Sequence, residues 1–155
     1  MDEIVVNKLN YCDFDCFRDD ILELLQEAMN ISFPDIEFSS EYYCEKLDSV
    51  AEYLKEGTAI IFLALNGDEA IGWIWCHKII RMNAVRLHIA NIAVKPTYRK
   101  RGIGKKLLQY GENYAKDHEY SGVDLLVTSS NIDALKFYRT LGYIDERIQL
   151  KKEIQ

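Results

Sequence analysis

Five cations and two glycines fall within eight residues, Arg99-Lys100-Arg101-Gly102-Ile103-Gly104-Lys105-Lys106, just after the run Ile92-Ala93-Val94 and Pro96. A helical pattern begins at once with Leu107 and Leu108. A strand that hands such a loop to a helix N-terminus suits a phosphorylated ligand. Glycine lets successive backbone N–H groups converge, and the helix dipole favours an anion at that end. The spacing excludes two common nucleotide loops. A dinucleotide fingerprint needs a third glycine three residues after Gly104, where Leu107 stands; a Walker loop needs an upstream glycine, and a Ser or Thr where Lys106 stands. A tight turn that merely ends a strand stays open as the simpler reading. Charge placement favours the anion site. No Asp or Glu occurs between Glu69 and Glu112, although Lys78, Arg81, Arg86, Lys95 and the loop cations all do, in a chain of net charge −6. A one-sign run beside a glycine loop fits a di- or polyphosphate, whereas the acidic balance and the lack of a basic-aromatic repeat argue against nucleic acid.

Arg99-Lys100-Arg101-Gly102-Ile103-Gly104 resembles the Arg/Gln-x-x-Gly-x-Gly/Ala acetyl-coenzyme A signature of the GNAT superfamily of N-acetyltransferases, preceded here as there by a strand ending Ile92-Ala93-Val94 and a Pro. A second element stands at the family's downstream distance: Asn131-x-x-Ala134-x-x-Phe137-Tyr138-x-x-Leu141-Gly142-Tyr143. The resemblance spans nearly the whole chain and implies an acetyl-CoA-dependent N-acetyltransferase acting on a primary amine of a small molecule or peptide. It also implies a splayed parallel strand pair whose cleft holds the pantetheine arm. Backbone groups of Ile92, Ala93 and Val94 would bond that arm and polarise the thioester carbonyl. The N–H groups from Lys100 through Arg101, Gly102, Ile103 and Gly104 to Lys105 would hold the pyrophosphate, with Arg99 among the surrounding charges. Asn131 matches a position that bonds the pantetheine chain; it also reads as a helix N-cap, and both can hold at once.

Tyr138 matches the family's general-acid tyrosine, a phenol that is protonated at neutral pH; packing alone is the plainer reading of the pair Phe137-Tyr138. Many family members carry a Glu base on the central strand or on the strand before Asn131. This chain reads Leu87-His88-Ile89-Ala90-Asn91 and Asp124-Leu125-Leu126-Val127 there. His88, six residues before Val94, stands at a position that looks like the one used by the Glu of histone-type members, and an imidazole with a pKa near ~6.5 suits proton abstraction. By parity it would share a face with Ile92 and Val94. A water chain could serve as base instead. A different class of function also stays open: a module that binds acyl-CoA as a sensor without turnover.

The acceptor would lie along the first two helices and their connection, where Asp and Glu far outnumber Arg18, Lys46 and Lys55. Such a field suits a cationic amine, and Tyr42, Tyr43, Trp73 and Trp75 could add aromatic walls; solvated helix faces and ordinary core packing are the simpler readings.

Elements that would position these groups follow from periodicity. The pattern predicts a strand over 4–9, a helix from Phe14 to Ala28 capped by Asp13, and a helix capped by Ser39 or Ser40 and ended near Gly57. A three-strand meander follows over 58–94, then the cofactor helix from 102 to 118, a strand over 123–128, a helix over 131–140 and a last strand over 144–151. The order predicts one α/β domain over 1–155: a central mixed, mostly antiparallel sheet of six to seven strands with four helices on its faces. Cys12, Cys16, Cys44 and Cys76 show no disulfide or zinc spacing and read as buried thiols of a reducing compartment, with no metal. The start of the chain lacks a signal-peptide pattern and no segment reaches the length of a membrane span. The expectation is a cytoplasmic protein, monomer or homodimer.

Overall fold

The computed structural model describes residues 3–155. Five strands form one sheet in the order β1 (Val5–Lys8), β2 (Ala59–Asn66), β3 (Glu69–Arg81), β4 (Ala84–Val94) and β5 (Gly122–Leu125). The first four pair antiparallel with their neighbours, and β5 joins β4 in parallel. Turn chemistry makes the meander. Gly67 at φ +60° joins β2 to β3, while Met82 and Asn83, at φ 48° and 64°, give the doubly left-handed turn whose twist suits a two-residue hairpin. Helices α1 (Arg18–Ser32) and α2 (Ser40–Lys55) cover one face, where Ile21, Leu24, Leu25, Leu47 and Val50 share a core with Ile61, Leu63 and Trp73. Helices α3 (Ile103–Asp117) and α4 (Ile132–Thr140) lie on the other, where Ile103, Leu107 and Leu108 join Ile60, Ile74, Leu87 and Ile89. Strand β2 reads apolar throughout because both its faces are covered. Helix α3 presses on the sheet closely enough that a Cβ at Gly72 would meet Leu107 Cδ1 at 3.2 Å and the Ala93 carbonyl at 3.3 Å.

Several expectations need correction. A 3-10 segment, Tyr11–Phe17, precedes α1, whose N-cap is Phe17 without a side-chain bond. Asp13 sits inside that segment, its own N–H donating to the Asn10 carbonyl at 3.1 Å, and so is not the cap. Ser39 does cap α2, accepting from the Tyr42 N–H at 3.1 Å. Among the described residues five strands form rather than six or seven. Strand β5 stops at Leu125, and the expected strand over 144–151 does not form: Ile144, Ile148 and Leu150 are 82–89% exposed. Alternation makes a strand only where an edge and a covering layer take up its apolar side. Of the four cysteines only Cys76 is buried. Cys44, for one, falls beside the buried stripe Tyr43, Leu47, Val50, Leu54 of α2. Among the described residues no helix is long and apolar enough to cross a membrane.

Candidate active site

Pairing of β4 with β5 runs from Arg86 opposite Gly122 to Ile89 opposite Leu125 and ends there. Strand β4 continues to Val94 paired with β3 alone, which leaves the other backbone edge over half-buried Ile92, Ala93 and Val94 without a strand partner. The loop above that edge is shaped by two left-handed residues, Lys100 at φ 60° and Gly102 at φ 77°, a conformation that turns neighbouring N–H groups to one side. Helix α3 then starts with no side-chain cap and no acid in its first turn, so its N-terminal donors and positive dipole end are available to an outside anion. Gly104 is informative because nothing internal demands it. A Cβ there would meet nothing nearer than Phe137 Cζ at 3.6 Å, so the missing side chain keeps the first turn of α3 open on the side facing α4. Lys100, Arg101 and Lys105 are exposed around this turn, and these residues fit a pyrophosphate. Ile103 is core, 4% exposed, and offers only its N–H. Arg99 departs from the expected phosphate role: its guanidinium donates to Glu27 of α1 at 2.9 Å and to the Val94 carbonyl at 3.1 Å.

A bulge decides which side chains meet beneath the loop. Trp75 pairs with Asn91 while the next residue, Cys76, pairs with Ile89, so Ala90 is an extra residue in β4. The extra residue reverses the parity between His88 and Val94. Ile92 and Val94 pack on the α3 side, whereas His88 pairs with His77, which alternates with Trp75 and Trp73 on the α1–α2 side, correcting the shared face expected for His88, Ile92 and Val94. The two imidazole centroids are 5.1 Å apart. Directly across the parallel ladder from His88 stands Asp124, with His88 Nδ1 2.6 Å from Asp124 Oδ1 and both side chains at least 85% buried. Arg81 Nε donates to Asp124 Oδ2 at 2.6 Å, and an Arg86 guanidinium nitrogen lies 3.5 Å from it. Burial would push the Asp124 carboxyl up, but its bonds to His88 and Arg81 outweigh that and hold it below the usual carboxylate range. Asp124 is the residue that reading the sequence missed. Its signal was a lone carboxylate in the apolar run Val123 to Val127.

Tyr138 lies on α4, on the opposite side of the sheet from His88, packed with Phe137 and Tyr143 at centroid distances of 5.3 and 5.6 Å. Burial pushes its hydroxyl up to about 12. Asn131 caps α4, its Oδ1 accepting from the Ala134 N–H at 3.2 Å.

On the α1–α2 side, a cavity of about 480 Å³ is lined by Glu23, Glu27, Asp35 and Glu37 and by Pro34, Ile36, Phe38 and Tyr43. Two of the acids are already engaged. Glu27 holds Arg99, and Glu23 joins Asp20 and Glu69 around Lys95, whose ammonium is 2.8–3.1 Å from all three. Trp73 and Trp75 are core, 0% and 8% exposed, rather than open walls, and the cation over Trp75 is the chain's own Lys46 at 5.7 Å.

The profile of the acetyltransferase (GNAT) family matches residues 18–143. N-alpha-acetyltransferase 50 of Danio rerio is 30% identical over 132 residues, 84% of this chain and 72% of that protein. The chain spans only 24–33% of the N-alpha-acetyltransferase 30 proteins that it also matches. Among solved structures, a Pyrococcus furiosus protein superposes with a TM-score of 0.77 at 27% identity, over 98% of this chain and all of that one. An aminoglycoside N-acetyltransferase, AAC(6')-Iy, solved in complex with CoA, superposes at 0.72 and 16% identity over 99% and 96%, a likeness of fold. With the family profile covering both the glycine loop and the Asn131 to Tyr143 element, the chain belongs to the GNAT family of acetyltransferases.

Proposed function

We propose that the protein transfers the acetyl group of acetyl-CoA to the α-amine of a peptide or protein N-terminus, by direct attack of the amine on the thioester. The observation that carries the catalytic reading is the placement of His88, one pair before β4 and β5 stop pairing, and of Tyr138 on opposite faces of the sheet. A thioester carbonyl lying against the free edge of Ile92 to Val94 would present one face to an amine on the His88 side and its sulfur to the Tyr138 side. His88 then takes a proton from the attacking nitrogen, and the Tyr138 hydroxyl donates a hydrogen bond to the leaving sulfur. Backbone N–H groups of the free β4 edge meet charge that grows on the carbonyl oxygen only in the transition state. The loop from Lys100 to Lys105 and the start of α3 hold the pyrophosphate, and Asn131 keeps spare donors for the pantetheine arm while capping α4. The choice of an α-amine is supported by the likeness to N-alpha-acetyltransferase 50. Asp35 and Glu37 beside apolar Pro34 and Ile36 support an acceptor with a cationic group next to an apolar one.

An assay of free thiol release with acetyl-CoA and an acceptor panel tests this. Short peptides with free N-termini, basic or acidic at the following positions, are compared with N-blocked peptides, an aminoglycoside and a polyamine. Turnover is expected with free N-termini, fastest for basic sequences and falling as salt screens exposed charge. Turnover confined to the aminoglycoside or polyamine would overturn the α-amine assignment. Tight acetyl-CoA binding without turnover on any amine would mark a binding module.

A further inference from the structure

We infer that Asp124 is the positioning residue of the base: it holds His88 as the Nδ1–H tautomer, so that Nε2 faces the acceptor amine with a free lone pair. The inference rests on the acetyl-transfer reading above. An ionised carboxylate only accepts hydrogen bonds, and Asp124 is kept ionised by Arg81 at 2.6 Å and Arg86 at 3.5 Å. The 2.6 Å contact from His88 therefore has Nδ1 as its donor. In a neutral imidazole the second nitrogen is then the acceptor.

The geometry is set by backbone rather than by flexible side chains. His88 and Asp124 are direct partners in the parallel ladder, one pair before it ends. Each carboxylate oxygen has its own task, Oδ2 for Arg81 and Oδ1 for His88, so the group cannot rotate without breaking a charged bond. The titratable and charged groups around the imidazole are His77 and Arg81 from β3, Arg86 from β4 and Asp124 from β5, with Glu146 reached through Arg86 at 2.7 Å on both guanidinium nitrogens. Because Glu146 is taken up by Arg86, Asp124 is the anion that can steady an imidazolium. As the N–C bond forms at the carbonyl, one amine proton passes to Nε2, the C–S bond breaks and sulfur leaves as thiolate. The imidazolium then gives its proton to solvent, from which the thiolate takes one.

A plain structural tie between β4 and β5 would have the same distances, so the test uses readouts that such a tie would not move. In Asp124→Asn, kcat should fall while acetyl-CoA affinity holds. The double variant His88→Ala/Asp124→Asn should be no slower than His88→Ala alone, whose loss is bounded by the ~10²–10⁴-fold that a general base supplies. Multiplying losses in the double variant would overturn the inference. Long-range ¹H–¹⁵N spectra of the wild-type imidazoles, with His88 assigned from His88→Ala, should show Nδ1–H; an Nε2–H tautomer would overturn it even if the Asn variant failed to fold. Wild type that turns over no amine would overturn the acetyl-transfer reading itself, whereas normal turnover with an Nε2–H imidazole removes Asp124 alone.

Discussion

Replacing Tyr138 with Phe isolates one hydroxyl. That hydroxyl is buried and its pKa is pushed up to about 12, against about 8.5 for an ordinary alkyl thiol. Full proton transfer to the departing thiolate would then run uphill by about 3.5 pKa units, or ~5 kcal/mol at 1.36 kcal/mol per unit. The hydroxyl can do less and still matter: a hydrogen bond to a charged sulfur is worth about 1.5–3 kcal/mol. Tyr138→Phe should thus lower kcat about 10- to 150-fold, below the upper part of the ~10²–10⁴ range of a full general acid. Acetyl-CoA affinity should hold, because the bond strengthens only as charge grows on sulfur. The kcat profile should keep its shape from pH 6 to 9, where a group titrating near 12 contributes no limb. Steady-state thiol release and calorimetric affinity read the two quantities. Wild-type kcat across that range would refute the role, and a loss beyond ~10³ would refute the hydrogen-bond argument in favour of full transfer.

Two further outcomes follow from the loop and from Lys95. Gly104→Val should abolish the acetyl-CoA-induced rise in Tm, ~2.7 kcal/mol of added stability at a hundredfold excess over Kd, at little cost to the free protein; Gly102→Val should do the same at a cost of ~1–3 kcal/mol for a β-branched residue at φ +77°. Unchanged affinity in both variants would remove the pyrophosphate site. Lys95→Met leaves Asp20, Glu23 and Glu69 facing one another. Breaking a buried pair costs ~3–5 kcal/mol, but Glu23 and Glu69 are 56% and 45% exposed, so about 2–3 kcal/mol and a Tm fall of roughly 4–12 °C are expected. Burial alone would lower the Lys95 pKa, but bonds to Asp20, Glu69 and Glu23 raise it above the lysine range. A raised folded value means that this stabilisation is complete below the unfolded pKa of ~10.4 and is lost as pH rises through the folded one. The stability gap to wild type should be flat from pH 6 to 9 and shrink only above ~10.4; a gap that changes with pH between 6 and 9 would contradict the cluster.

Much of this arrangement is legible where local chemistry and periodicity agree. The Ile21 to Ala28 part of the α1 spacing, the Ser39 cap, the turn at Gly67 and the passage from Val94 through Pro96 to Gly102 all state their geometry in adjacent residues. The strand over 144–151 failed because alternation is half of a strand: nothing in residues 144–151 says whether a neighbouring edge will accept them, and Ile144, Ile148 and Leu150 remain in solvent. Asp13 failed for a similar reason. It is a good capping residue one turn too early, since the 3-10 segment moved the start of α1 to Arg18.

The site was less legible than the fold because it depends on a defect in the fold. Counting by twos from Val94 puts His88 on the α3 side, and every residue between them is compatible with an unbroken strand. The bulge at Ala90 appears only when Trp75 and Cys76 are matched to Asn91 and Ile89 across the hairpin, a relation between residues sixteen and thirteen apart in sequence. With it, His88 lies on the α1–α2 side, away from Ile92 and Val94; on the proposed mechanism an unbroken strand would place base and thiol on one face. A bulge interrupts a regular pairing, and this one sits two residues from His88, as bulges often do near active sites. Deleting Ala90 should therefore do more than shorten β4. It should turn either Leu87 to Ile89 or Ile92 to Val94 to the other face, taking apolar residues out of the α3-side core as well, so turnover should be lost together with stability, and wild-type turnover and Tm would refute the role of the bulge.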